Sequence, residues 1–417
     1  MDSLPSSSAN AADNDFRECL VCGAEAHGIH FQVNSCRACA AFFRRAAEIG
    51  EKYKCRRARH DCDVSKDATH QCRRCRYERC KKVGMTLNAV LYKQNHPPQS
   101  AQPPLKTSNT SIEPAKVIFS SSVLTDDLPD EVIFENQQMK FRADVMIERI
   151  KATLSKPNTD NPQLKLSGVK LTPMQSLLHA YNTMVPGGKP DKVEFCSQLD
   201  MRIWLRAFHE MTFRIAKWLM ACDDFAQLPM DDKWKIYVNF WPHMFNIERT
   251  ARSVEYMGAE SGLQLVADNI AIDFTKHVYL IPNMPEQKRI ELENLFKPHD
   301  EMMLTHFIVP MKALNMTIYE VVYLCVQVLW SIKKIKGLSE AAYAIGQKNL
   351  DLSGNELHNY YLYEMRIENY ASRLAKILKL MSESETIIRS RNDLLLTADV
   401  FGIFKSDLHE SELVGKD

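Results

Sequence analysis

Eight of the 12 cysteines fall into two spaced sets within the 57 residues from Cys19 to Cys75. The first set is Cys19-x2-Cys22 followed, after 13 residues, by Cys36-x2-Cys39. The second is Cys55-x6-Cys62 followed, after nine residues, by Cys72-x2-Cys75. A Cys-x-x-Cys turn places two sulfurs on one side of the backbone. Two such pairs close a tetrahedral shell about 2.3 Å from a Zn²⁺ ion and leave no position open. Closed four-thiolate shells are structural, so two zinc ions per chain are expected to fold this segment rather than perform chemistry. Cys80 is left over and is expected to be a core residue, while Cys196, Cys222 and Cys325 are scattered. The first residues, MDSLPSSSANAADNDF, have no apolar run and do not read as a secretory signal, which favours metal thiolates over disulfides.

Net charge is +1, but it is unevenly spread. Arg17–Lys93 carries 17 Lys/Arg against 8 Asp/Glu, and the remainder carries 36 against 44. A basic cysteine-rich module joined to a mildly acidic body implies a polyanionic partner for the first alone. After Cys39 the sequence AAFFRRAAE has strong helix propensity. A helix there packs Phe42 and Phe43 on its own zinc site and turns Arg37, Arg44 and Arg45 outward, which suits the major groove and phosphates of a duplex. Residues 1–16 read as a disordered leader. Of the 21 residues from Gln94 to Pro114, 15 are Pro, Gln, Ser, Thr or Asn, which cannot bury a core.

From residue 131 the chain reads as mostly helical, with 10 glycines in 287 residues. Trp204, Phe208, Met211, Ile215, Trp218, Leu219 and Cys222 share one helical face. Thr172-Pro173-x-Gln175 and Ser353-x-x-Glu356 match the capping box. Residues 318–332 are apolar nearly all round, as a helix in the middle of a layered bundle would be. Strand and helix signals mix between Gly258 and Val278. The longest apolar run, Val321–Trp330, is ten residues, too short for a membrane span. No phosphate-binding loop, nucleophile elbow or His-Glu-x-x-His zinc motif is present, so an enzyme is not expected.

VCGAEAHGIHFQVNSCRACAAFFRR, YKCRRARHDCDV and QCRRCRYERCKKVGM, which run almost without gaps from Cys19 to Met85, resemble the DNA-binding domain of nuclear hormone receptors. The Arg37-Ala38 and Ala40-Ala41 pairs resemble the divergent receptors expanded in nematodes, akin to the hepatocyte-nuclear-factor-four type. The resemblance implies zinc ligation by the eight cysteines and a recognition helix with Arg37, Ala38 and Ala41 at base-discriminating positions. It implies that His30, Phe31, Arg44, Arg45, Arg73 and Arg76 face the phosphate backbone or support that face. Arg37 stands where an acidic residue is usual and Ala40 where a groove-reading lysine is usual, which removes a guanine contact. The Arg56–Asp61 loop, which sets dimer contacts in the family, is one residue longer than is common, and Thr69-His70 replaces an Arg-Asn pair.

Downstream, DDFAQLPMDDKWKIYVNFW (Asp223–Trp241) resembles the signature of receptor ligand-binding domains, with Lys233 where Gln is usual. That implies a three-layer helical sandwich around an apolar pocket, in which Trp204, Phe208, Met211 and Met220 are expected as ordinary core. The lysine that clamps a coactivator helix in the family falls at Met220, with Lys217 one turn earlier. The partner acidic residue is Glu412 in HESELV (His409–Val414), and Phe401-x-x-Phe404 is the other candidate for a closing segment.

The sequence therefore divides into a leader (1–16), a zinc-finger DNA-binding domain (17–93), a hinge (94–130) and a ligand-binding-type helical domain (131–417). It implies a nuclear, sequence-specific transcription factor. Its partners are double-stranded DNA, a homo- or heterodimer partner, coregulator proteins and a small hydrophobic ligand, with no membrane. The alternative is a ligand-independent regulator whose C-terminal domain serves only dimerisation or coregulator binding.

Overall fold

The computed structural model describes residues 18–26, 29–31, 33–46, 49–68, 71–85, 116–120, 133–135, 138–140, 142–156, 171–276, 278–281, 284–402 and 407–414. The expected leader, most of the hinge, Thr69-His70 and Phe404 lie outside these residues. Two compact units are present. Among the described residues, no helix is long and apolar enough to cross a membrane.

In the cysteine-rich unit, β1 (Ile29–His30) pairs antiparallel with β2 (Val33–Asn34). The turn between them holds Phe31 in the left-handed region, at φ 53°. Two helices follow, α1 (Arg37–Ala46) and α2 (Arg73–Lys82). They are fastened by rings: Phe43 meets the edge of Phe31 at 5.2 Å and stacks on Tyr77 at 6.0 Å. Such aromatic pairs add about 0.5–1.5 kcal/mol beyond the area they bury. The chain between the helices approaches this stack so closely that a Cβ on Gly50 would lie 2.6 Å from the Tyr77 ring. Cys80 is fully buried in this small core, as its position after Cys75 suggests, and burial pushes its thiol up to about 12.

The larger unit begins with β3 (Lys116–Ser120), the β4–β5 hairpin (Ile133–Glu135 and Gln138–Lys140) and α3 (Ala143–Leu154). α4 (Pro173–Asn182) opens with the reciprocal capping box read from the sequence: Thr172 N donates to Gln175 Oε1 at 3.0 Å and Gln175 N to Thr172 Oγ1 at 3.1 Å. β6 (Lys192–Cys196) and β7 (Gln198–Asp200) lead into α5 (Met201–Met220) and, after a turn at Asp223–Ala226, the long α6 (Met230–Met257). Strands β8 (Leu263–Leu265), β9 (Ile270–Asp273) and β10 (Val278–Leu280) occupy the stretch of mixed signals. β3, β6 and β9 run parallel, with β8 antiparallel on β9, while β10 pairs in parallel with β7. α7 (Glu286–Met302) continues through a π-helical turn into α8 (Val309–Leu314). α9 (Ile318–Trp330), α10 (Glu340–Asn359) and α11 (Ala371–Val400) complete the helical body.

The layering follows from which helices are apolar all round. α9 buries Tyr319, Val321–Val326, Leu329 and Trp330, as its sequence requires. α6 likewise buries residues on every side, including Ile236, Phe240, Trp241, Met244 and Ile247. These two form the middle layer. α3 and α5 pack on one side, and α11 with α7 on the other. The second sequence-read capping box is corrected: Ser353 and Glu356 lie inside α10, not at its start. Ser353 Oγ instead donates to Leu350 O at 3.0 Å and accepts from Gln327 Nε2 at 3.1 Å.

The signature motif fastens this sandwich. Phe225 is fully buried, and the Asp232 carboxylate accepts from Ser339 N at 3.0 Å and Ser339 Oγ at 2.6 Å. Lys233 is buried and donates from Nζ to Leu154 O at 3.1 Å, capping the C-terminal end of α3. A cation suits the negative end of the helix dipole there, while burial lowers the lysine's affinity for its proton.

Buried charge is met by buried counter-charge. Glu320 closes a capping box with Thr317 at the start of α9, has no exposed side-chain surface, and accepts from Arg373 Nη2 at 2.7 Å. Removing one partner of such a pair strands the other. Arg373→Ala is therefore expected to cost about 3 kcal/mol, read as a lower urea midpoint. Adding Glu320→Gln, which keeps the cap but removes the charge, should recover part of that loss.

Candidate zinc centres, nucleic-acid interface and ligand cavity

The sulfurs of Cys19, Cys22, Cys36 and Cys39 all lie within 4.8 Å of one another, as do those of Cys55, Cys62, Cys72 and Cys75. Separations of 3.7 Å for Cys22–Cys36, 3.6 Å for Cys55–Cys62 and 3.7 Å for Cys55–Cys75 match the edge of a tetrahedron with metal–sulfur bonds of about 2.3 Å. In the first tetrad, hydrogen bonds from the Cys22 and Cys39 thiols hold Cys19 well below the ordinary thiol range. The bonds to Cys19 and Cys22 push Cys39 far above it. Four sulfurs at these distances ionise together only around a cation. The donor set fits zinc in number, softness and shape, giving two Zn²⁺ sites per chain.

Each tetrad sits at the start of a helix. Cys36 precedes α1 and Cys39 lies in its first turn; Cys72 caps α2 and Cys75 lies in its first turn. Helix N-termini favour thiolates through their dipole and free amides. Cys39 N accordingly donates to Cys36 Sγ at 3.4 Å. Arg76 Nη2 donates to Cys39 Sγ at 3.0 Å, and its guanidinium lies 4.7 Å from the centre of the Phe42 ring. Arg76 thus reaches from α2 to the sulfurs under α1, a contact that no motif announced.

On α1 the residues sort by helical position. Cys39, Phe43 and Ala46 form the buried stripe. Arg37, Ala41, Arg44 and Arg45 recur at four-, seven- and eight-residue spacing on another face, and Arg37, Ala38 and Arg45 are exposed. Arg44 lies over the Phe31 ring at 5.7 Å. His30 ends β1, and Arg73 is exposed at the first position of α2. Not all the positive charge is outward. Arg74 bonds Glu78 at 2.6 Å and Glu51 O at 2.8 Å, and Lys81 bonds Glu51 at 2.6 Å. Residues Arg56–Asp61 are all exposed, and Ala58 and His60 adopt positive φ.

The helical body holds a partly open cavity of about 210 Å³. Its walls are largely aromatic, with Trp204, Phe208, Trp241, Phe245, Phe274 and Tyr279 among them. Phe208 is buried and Trp204 packs on a core cluster, as the sequence reading expects, and both also line this cavity. Met211 and Met220 are buried and lie outside that lining. The polar groups on the wall include Arg249, His299, Asp300 and Arg391. Burial lifts the Asp300 carboxyl to about 7, opposed by the Tyr279 hydroxyl bonded to it at 3.0 Å. Burial and the nearby Arg391 charge lower His299 to about 4.

The C-terminal residues close one side. Leu408, Leu413 and Val414 are buried, Leu408 and Val414 line the cavity, and Trp241 Nε1 donates to Leu413 O at 3.0 Å. Phe401, the other candidate for closure, is 74% exposed. Glu412 pairs with Lys151 of α3 at 2.6 Å, while Lys217 Nζ lies over the Phe213 ring at 4.3 Å. The inward role of Leu408 and the pairing with Lys151 had no signal in the sequence, because the register of the closing segment depends on what it docks against.

A family model described as the double treble clef zinc finger, C4 type, matches residues 17–87. A second, the ligand-binding domain of nuclear hormone receptor, matches residues 189–401, half of the chain. The chain belongs to the nuclear hormone receptor family. It is similar to the Caenorhabditis elegans nuclear hormone receptor family members nhr-213, at 26% identity over 92% of this chain and 91% of the relative, and nhr-218, at 25% over 92% and 93%. Family member nhr-54 of the same organism is 25% identical over 95% of this chain and 96% of its own length. The receptor thus joins a DNA-binding zinc-finger module to a ligand-binding domain, the make-up of a DNA-binding transcription factor.

The two tetrads differ in burial. All four cysteines of the first are buried, whereas in the second only Cys75 is. Zinc release to a chelator, followed with a colorimetric indicator, is expected in two phases, the second tetrad emptying first. Cys62→Ser should remove the fast phase and leave the slow one, and full chelation should abolish duplex binding.

Proposed function

We propose that this receptor is a nuclear, sequence-specific transcription factor that lays α1 in the major groove of double-stranded DNA. The observation that carries this reading is the face bearing exposed Arg37, Ala38 and Arg45 and half-buried Ala41, on a helix whose buried stripe is fixed to a zinc tetrad. Arg37, Ala38 and Ala41 read base edges. Arg44, Arg45 and Arg73 engage phosphates, with His30 and Phe31 supporting that face and Arg76 holding the helix to its metal site. The exposed Arg56–Asp61 loop offers the contact for a homo- or heterodimer partner on DNA.

The cavity favours control by a small apolar ligand over a helical body used only for dimerisation or coregulator binding. A coregulator is proposed to engage Lys217 and Glu412, with Met220 the third residue of that site. The residue spans 17–93, 94–130 and 131–417 are the corresponding DNA-binding, hinge and ligand-binding parts.

Phosphate contacts dominate affinity and make it salt-dependent. Arg45→Ala is expected to weaken every duplex similarly and to lower the salt slope by about 1. Arg37→Ala should instead change the preferred sequence in a selected-site binding experiment. Uniform weakening by Arg37→Ala, with preference unchanged, would remove Arg37 from base reading.

A further inference from the structure

We infer that the cavity takes an amphipathic ligand with an apolar body and a carboxylate head, and that Arg391 is the residue that receives the head. The inference rests on the reading of this cavity as a ligand site and names its ligand class.

Arg391 stands on α11 and is one of the residues that line the cavity. Among the described residues its hydrogen bond goes from Nη2 to the neutral Asn392 Oδ1 at 3.1 Å. Its Nε is buried with no partner, and no carboxylate pairs with it among the described residues. The other contact is the face of Trp241, 5.1 Å away. Burial lowers its proton affinity to about 10.

The remaining charges on the wall are already matched. Arg249 is bonded by Asp268 at 3.2 Å and pairs with the fully buried Glu248. Asp300 is held by Tyr279, and with its carboxyl lifted to about 7 it supplies no full counter-charge. His299 is bonded to Ser390 Oγ at 3.2 Å and is neutral at physiological pH.

A desolvated cation without a counter-ion is costly, and a guanidinium presents a planar fork that a carboxylate meets with two parallel hydrogen bonds. A neutral acceptor such as Asn392 Oδ1 takes one donor and leaves the charge unmatched. The rest of the lining, aromatic and aliphatic, offers burial to a hydrocarbon body. One anionic head and one apolar tail therefore answer both features of the cavity.

The test uses the full-length protein with dodecanoate, methyl dodecanoate and dodecanol below their aggregation limits, each competing with the uncharged dye Nile red. Dodecanoate is expected to displace the dye roughly ten- to a hundredfold more effectively than its uncharged analogues, the range of a charge-assisted hydrogen bond. In Arg391→Leu that advantage should vanish while dodecanol binding persists; Arg391→Lys should keep part of it. The ester comparison needs no variant, so it stands even if Arg391→Leu fails to fold. Equal displacement by acid and ester, or an undiminished advantage in folded Arg391→Leu, would overturn the head-group assignment and leave the cavity reading intact. Failure of dye and all three amphiphiles to bind would overturn the cavity reading as well.

Discussion

Negative charge crowded onto sulfur is the constraint from which this molecule's recognition surface follows. Four thiolates drawn within 4.8 Å of each other repel unless a cation sits among them. The first tetrad gathers them from a loop and from the opening turn of α1. Metal, helix dipole and backbone amide act together on Cys36 and Cys39, and Arg76 adds a positive group from α2. The helix is then fixed at its N-terminal end, and its outward arginines inherit that fixity. The two helices cross over an aromatic core too small to order the module alone, so metal binding and folding are one event.

The helical body solves a different problem, the burial of charge. Glu320 with Arg373, and Glu248 with Arg249 and Arg252, place ion pairs where water is scarce. Arg252 also donates to Tyr181 O at 2.9 Å, so its fork is satisfied in several directions. Lys233 and Lys312 meet backbone carbonyls instead: Lys233 at the end of α3, Lys312 at Ser261 O at 3.0 Å beside β8. Against this pattern Arg391 stands out, because among the described residues no carboxylate pairs with it.

What the sequence disclosed is what lies close along the chain. The zinc ligands are read directly because tetrahedral ligation imposes local spacings, and α9 because an all-round apolar segment can sit only in a middle layer. The Thr172–Gln175 box is a true helix start, whereas the same pattern at Ser353 falls inside α10. A four-residue signature is satisfied as easily by a hydroxyl that bonds back to its own helix as by one that caps it. Trp204 and Phe208 have the periodicity of core residues, and periodicity does not say whether the space beyond a ring is filled. The cavity wall gathers residues from Leu199 to Val414, so the placing of Arg391 on it was legible only after folding.

Trp241 closes the account of the helical body. Its indole nitrogen holds Leu413 O, its ring receives the edge of Phe208 at 5.3 Å, and its face carries Arg391. One side chain is therefore common to a cavity wall, a long helix and the last described turn of the chain. Energies measured on either side of it will not add: the penalty for altering Arg391 depends on whether Leu413 is in place, and the reverse holds equally. The indole is a shared fulcrum, and its coupling can be resolved only by perturbing both arms at once.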